Sequence, residues 1–366
     1  VTPSATEIDR AVVEVSRDPA SAAAGTVIRE AGLAVLPILA ERLTADAPID
    51  VAERFEAILK SVLLERLAGG VPGATAREVA RFQQEVGFLF KYKSYAVKCA
   101  TPLGYSVFLQ RPGEGFSFQR HVTRKTEVFH ILDVLPGGYA FVCRYEDWAR
   151  AYEPVSFAAW LAGGSDPRYD AFRFEVRPGD VFVIDQLNVV HTVVGCVLEE
   201  FATVSTDMVD RLYDQNLGKP IPPEFSRAWC RERLAALAYP ASTRVLTPGG
   251  RGAAAAPVAP VRTAGGSVRT LADTFVLARH HVVDAAGKTG LAHDDERATI
   301  VHVTGGHGRV VVADAEEAAF TVPPSLSAGK ADVLLIPPGT RFGFVNEGDG
   351  PFELSEHRIA LAAALA

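Results

Sequence analysis

Residues 115–133 read GFSFQRHVTRKTEVFHILD, with Gln119, His121, Thr123, Lys125 and Glu127 on every second position. Side chains two apart in an extended strand share a face. If the chain stays near-extended here, an amide oxygen, an imidazole and a carboxylate project into one barrel interior. Those are ligand types suited to Zn²⁺, Fe²⁺, Mn²⁺ or Ni²⁺. A further ligand is available in RPGDVFVIDQLNVVHTVVG, residues 177–195, where a Pro-Gly-Asp turn leads into a buried strand, a loop and then His191.

On both sides of this stretch, from about residue 93, short runs rich in β-branched and aromatic residues alternate with Gly and Pro: YSVFLQ, RPGEG, YAFVCRY, FRFEV and VFVI. That spacing predicts an antiparallel β sandwich or barrel over 93–246, closed by a helix in PPEFSRAWCRERLAALAY. The run TPGGRGAAAAPVAPVRTAGG (247–266) reads as a linker. Strand texture resumes over 267–366 with ATIVHV, ADVLLI and TRFGFV, like a repeat of the first barrel. Residues 1–92 carry helical periodicity, with a plausible capping box at Thr75 and Glu78. The expectation is mainly β, two tandem barrels behind an α-helical N-terminal region.

The paired pattern resembles the cupin superfamily, in which a His-x-His-x(3–4)-Glu stretch and a Gly-x(5)-Pro-x-Gly-x(2)-His stretch supply metal ligands. Thr123 stands where the second histidine is usual, and Asp185 replaces the usual proline before His191. Gln119-Arg120-His121 and Lys125-Thr126-Glu127 are closer to the first motif of the phosphomannose isomerases. The resemblance implies two double-stranded β-helix (jelly-roll) barrels and one divalent ion on Gln119, His121, Glu127 and His191. Zinc is its first choice, with Fe²⁺, Mn²⁺ or Ni²⁺ also accepted. STDMVDRLYDQN (205–216) is similar to the family's arginine segment, which implies an active-site role for Arg211. In the second barrel Phe342 stands at the ligand position, and His293, Glu296, His302 and His307 lack ligand spacing. That barrel is expected to be metal-free.

The chain's 366 residues leave room for more than one domain, and its 48% hydrophobic composition is ordinary for a folded one. A net charge of −7 supplies no general field for nucleic acid. Cys99, Cys143, Cys196 and Cys230 form no C-x-x-C pair, so they read as reduced thiols of a cytoplasmic protein. Neither a leader pattern nor an uninterrupted apolar run of membrane-spanning length is evident. The implied activity is a metal-dependent aldose–ketose isomerase working through an enediolate on a sugar or sugar phosphate. Lys125 is its candidate proton-transfer group, and Arg211 its candidate anchor for an anionic oxygen. The alternatives are a non-haem Fe²⁺ oxygenase, because two histidines and a carboxylate also suit oxygen activation, and a non-catalytic sugar-binding bicupin. A homodimer would cover exposed edge strands.

Overall fold

The computed structural model describes residues 3–18, 21–35, 37–39, 58, 60, 62, 67, 87–101, 103–185, 187–204, 209–248, 253–292, 294–313, 318–321 and 332–360. Two amphipathic helices open the chain, Ala5–Arg17 and Ala22–Ala31. Ser4 caps the first: its hydroxyl accepts from the Glu7 N–H at 3.3 Å, and the Glu7 carboxylate accepts from the Ser4 N–H at 2.8 Å. The capping box expected at Thr75 and Glu78 lies outside the described residues.

The first barrel contains β1 (Leu89–Tyr92), β2 (Ala96–Ala100), β3 (Tyr105–Gln110), β4 (Phe118–His121) and β5 (Glu127–Arg144). It continues through β6 (Arg173–Phe174), β7 (Asp180–Ile184), β8 (Val189–Ala202), β9 (Val209–Tyr213), β10 (Thr243–Pro248) and β11 (Ala253–Val258). The strand order is β1-β2-β3-β8-β5-β7-β10-β11, with β4 bridging β8 and β9. Its spine is the antiparallel pair of long strands β5 and β8, where His130 faces Glu199 and Val142 faces His191. The second barrel contains β12 (Val261–Thr263), β13 (Gly266–Asp273), β14 (Val276–Val283), β15 (Arg297–Gly305), β16 (Gly308–Ala313), β17 (Ala318–Thr321), β18 (Val333–Ile336), β19 (Arg341–Asn346) and β20 (Phe352–Ala360). They form two sheets, β12-β13-β14-β20-β15-β18 and β17-β16-β19. The architecture is mainly β, two tandem barrels.

Two features depart from the sequence expectation. The supposed linker at 247–266 is largely strand: Ala254 pairs with Thr247 and Ala256 with Val245, so β11 folds back on β10 and extends the first sheet. Small side chains, read as linker composition, here sit on an edge hairpin whose backbone hydrogen bonds replace the packing they lack. Between β5 and β6 the chain also inserts helices at Tyr145–Ala151, Pro154–Leu161 and Pro167–Asp170. These bring Trp148, Phe157 and Trp160 onto Phe118, with ring centroids 4.9–6.4 Å apart. Burying Phe118 among aromatic rings fixes β4, the strand that carries Gln119 and His121.

One apolar core joins the helices to both barrels, running from Ile8 and Val12 through Val97 and Val107 to Ile300 and Leu335. Inside it lies a polar knot. The fully buried Glu199 carboxylate accepts hydrogen bonds from Tyr239 Oη (2.7 Å), Ser355 Oγ (2.7 Å), His130 Nδ1 (3.0 Å) and the Tyr105 hydroxyl. His302 Nδ1 in turn sits 2.7 Å from Tyr105 Oη. Burial pushes the Glu199 carboxyl up, but His130 and His302 outweigh it and hold the group well below the usual carboxylate range. His302 and Ser355 belong to the second barrel, so a charge on β8 of the first barrel ties the two together.

Removing such a charge leaves its donors buried and unpaired. Glu199→Ala is expected to lower the free energy of unfolding by about 3–5 kcal/mol, measured by urea denaturation. Burial also pushes His280 and His357 down to about 3. In the unfolded chain each takes up a proton near pH 6.5, roughly the free histidine value. Stability is therefore intact above that pH and lost as the pH falls towards 3, by up to about 1.4 kcal/mol per unit for each histidine. Urea midpoints at pH 7 and pH 4.5 should differ less in a His280→Gln/His357→Gln variant than in the parent chain.

Candidate metal centre

Three side chains converge in the first barrel. His121 ends β4, Glu127 begins β5, and His191 sits near the start of β8. His121 Nε2 lies 3.1 Å and His191 Nε2 3.3 Å from Glu127 Oε2, and the imidazole rings are parallel within 8° at 5.0 Å between centroids. All three are buried. Ligand atoms of the three lie within 4.8 Å of one another. Two donors bound to one ion at about 2.0–2.2 Å in tetrahedral geometry stand roughly 3.3–3.6 Å apart, so the observed spacing fits a single cation.

Their arrival depends on turns. Gly179 has φ +91°, and a Cβ there would run into the Ser242 carbonyl. Asp180 accepts from the Arg177 N–H at 2.8 Å and pairs with Arg244, which locks the Pro-Gly-Asp turn ahead of β7. Asn188, at φ 62°, reverses the chain into β8. Its side-chain oxygen accepts from Arg120 Nη1 at 3.0 Å, and Gln119 pairs across the strands with His191. Arg120 stacks on Tyr145 and bonds Asp210 at 2.9 Å, so β4 is held from both sides.

The even spacing of residues 119–127 does not come from one extended strand. β4 stops at His121, residues 122–126 form a loop, and β5 starts at Glu127. Thr123 is exposed on that loop instead of sharing the face of its neighbours. His121 and Glu127 meet because two different strands approach, joined by the loop between them.

The electronic state of the cluster fits a cation. His191 Nδ1 donates to the Val189 carbonyl at 3.2 Å, which turns Nε2 towards Glu127. That atom is buried and has no hydrogen-bond partner among the described residues, its approach to Glu127 being poorly aligned. A buried polar nitrogen without a well-formed hydrogen bond is costly. Burial would raise the Glu127 carboxyl, but Lys125, with its Nζ 2.6 Å from Oε1, and His121 hold it well below the usual range. One oxygen of Glu127 thus faces the ammonium and the other faces the imidazoles. Gln119 is half-buried and lines the cavity beside Lys125 and Glu127.

That cavity measures ≈ 240 Å³. Phe108, Phe116 and Phe129 form apolar wall, and Lys91, Lys93, Lys98 and Glu200 were not anticipated from sequence. Burial lowers the Lys98 ammonium from its ordinary value, Lys125 and Lys91 lower it further, and Glu200 opposes them. Arg211 is the predicted site residue that stays outside. It pairs with Gln119 in the β4–β9 register, yet its side chain is 65% exposed, reaches Asp214 only at 3.8 Å, and does not line the cavity. A larger cleft, bordered by Arg173, Arg177 and Arg244, holds none of the triad.

In the second barrel Phe342 is buried against Phe344, and His302 is turned to the inter-barrel knot. His293 lies outside the described residues. Among the described residues no second His/Cys/Asp/Glu cluster has ligand geometry.

No protein-family model and no curated protein matches this sequence. Among solved structures the chain is similar to oxalate decarboxylase from Bacillus subtilis at pH 4.6, with TM-score 0.41, 13% identity, and 75% of this chain against 76% of that one. It is also similar to the Lactobacillus farciminis oxalate decarboxylase formate complex, with TM-score 0.42, 13% identity, and coverage of 75% and 84%. A further Bacillus subtilis oxalate decarboxylase structure, described for its Mn(II) centres, aligns at TM-score 0.40 and 13% identity over 74% and 77%.

The geometry yields a direct expectation for metal content. Protein dialysed against Zn²⁺ or Mn²⁺ and then desalted should carry a single ion per chain by elemental analysis. Glu127→Ala and His191→Ala should weaken uptake by about 100-fold or more. Two ions per chain would contradict the assignment of the second barrel.

Proposed function

We propose that the chain is a metal-dependent enzyme whose one catalytic centre is the triad of His121, Glu127 and His191, with Gln119 as an additional oxygen donor. The observation that carries this reading is the buried His191 Nε2, which points at the Glu127 carboxylate without a well-aligned hydrogen bond while its Nδ1 is engaged by the Val189 carbonyl. Two imidazoles, a carboxylate and an amide accept Zn²⁺, Fe²⁺ and Mn²⁺ alike, so the sequence preference for zinc widens to a divalent ion.

A divalent ion on this triad would polarise a substrate carbonyl or hydroxyl oxygen. The rest falls to the chain. Lys125 reaches into the cavity from the loop before β5, and its ammonium is fixed by Glu127 Oε1. From that position it can hold or deliver a proton at a substrate carbon or oxygen. Phe108, Phe116 and Phe129 keep that transfer away from bulk water. Lys125 and the likeness of residues 119–127 to phosphomannose isomerases support an aldose–ketose isomerase as the finer assignment. The exposed Arg211 weakens it, because a sugar anion would need another anchor. The triad itself favours a second reading, a non-haem iron oxygenase, since two histidines and one carboxylate leave positions open for dioxygen.

The two are separated by paired assays on metal-loaded protein. Isomerisation predicts deuterium uptake from D₂O at the carbon next to the carbonyl of an aldose or aldose phosphate, followed by NMR. Oxygenation predicts oxygen consumption by the Fe²⁺ form alone. Lys125→Met should reduce isomerase turnover by about 10²–10⁴-fold with metal content unchanged. Full activity in that variant would remove the lysine from the mechanism.

A further inference from the structure

The cavity that Glu127 of the triad lines carries four ammonium groups, Lys91, Lys93, Lys98 and Lys125, against two carboxylates, Glu127 and Glu200. This runs against the chain as a whole, whose net charge is −7. Lys91 and Lys98 are direct cross-strand partners in the β1–β2 hairpin. Like charges placed directly opposite one another destabilise a sheet. Lys91 lies on an edge strand, where lysine often serves to discourage pairing with another chain. That role does not account for Lys98, which is on the inner strand β2, half-buried, with its Nζ 4.9 Å above the Phe108 ring and 3.5 Å from Glu200. Nor does it account for all four lining the same hollow as Glu127. A divalent ion at the triad would add to the positive charge, which makes the arrangement more costly without an anion between them.

We propose that Lys91, Lys93 and Lys98 form an anion subsite facing the triad, so that the substrate is a small molecule bearing a carboxylate or phosphoryl group. The proposal deepens the metal-enzyme reading above and relies on it only for what the anion is presented to. At ≈ 240 Å³ the cavity is smaller than the roughly 300–1,000 Å³ of drug-sized sites, which restricts the ligand to a compact acid or phosphate ester. The lysines replace the exposed Arg211 as the anchor of an anionic substrate. They enter from the first hairpin of the barrel, a part of the chain remote in sequence from the ligand motifs.

The test uses the full chain stripped of metal by chelator, titrated calorimetrically with inorganic phosphate and, separately, with malonate. Saturable binding that weakens as salt is raised is expected for at least one of them. Lys98→Met should weaken it about tenfold or more, as loss of a charge-assisted contact does, while Lys98→Arg should restore most of it. Lys91→Glu should abolish anion binding and raise the melting temperature, because it turns a repulsive cross-strand pair into an attractive one. A lysine of structural importance alone would lower both together. Phosphate binding alone would identify a phosphorylated substrate, and malonate binding alone a carboxylic acid. Equal affinity of the parent chain and Lys91→Glu for both anions, or binding of neither, would overturn the proposal. Anion binding in a protein that takes up no metal would leave the subsite standing and remove the metal-dependent reading instead.

Discussion

A carboxylate taken out of water must be met by cations or donors, or it will bind a proton and lose its charge. The barrel spine carries three such groups: Glu200 on β8 meets Lys98, while Glu127 on β5 and Glu199 on β8 are resolved in opposite ways. Around Glu199 both oxygens have donors: two tyrosines and a serine converge on Oε1, and His130 meets Oε2. Around Glu127 they are incomplete. Lys125 and His121 engage its oxygens, while the buried His191 Nε2 lies out of line for a hydrogen bond. The first arrangement is a fastening between barrels. The second is a site with an unfilled position.

The same division separates the two barrels, since among the described residues the candidate cluster lies in the first. The second barrel keeps the β framework, but Phe342 fills the position of a ligand and joins an apolar core with Phe344 and Phe352. Its histidines are spent elsewhere: His302 supports Tyr105, and His280 stacks on Tyr239 at 5.3 Å with the rings parallel within 2°. These contacts reach across to the first barrel and brace the strands behind the triad.

Much of this was readable from residue order, because ligand chemistry and turn chemistry are both local. Gln119, His121, Glu127 and His191 stand out through their types, and Gly179 through the tight turn it permits. The geometric reason was less accessible. Alternation suggested one extended strand, whereas a loop with Thr123 turned outward separates two strands that meet through long-range pairing with β8 and β9. The Ala-rich 253–258 segment misled for a related cause, since its strand character comes from its partner at 243–248 and not from its own side chains. Arg211 was placed by motif likeness, and backbone register agreed, but register does not determine where a long side chain ends. The lysines of KYKSYAVK were passed over because their meaning arises only when β1 and β2 pair and turn the charges towards Glu127.

A ring of lysines beside a cation site is at first sight self-defeating, since ammonium groups repel a divalent ion. Glu127 limits the conflict by having two oxygens. Oε1 receives Lys125 and Oε2 faces the imidazoles, so the ammonium and a metal need not compete for one lone pair. The remaining repulsion has a directional use. It is weakest when an anion lies between the lysines and the triad, and strongest when water or a neutral molecule does. Charge placed in this way discriminates between occupants through what the empty cavity costs, which is the form of specificity available to a hollow too small for many separate contacts.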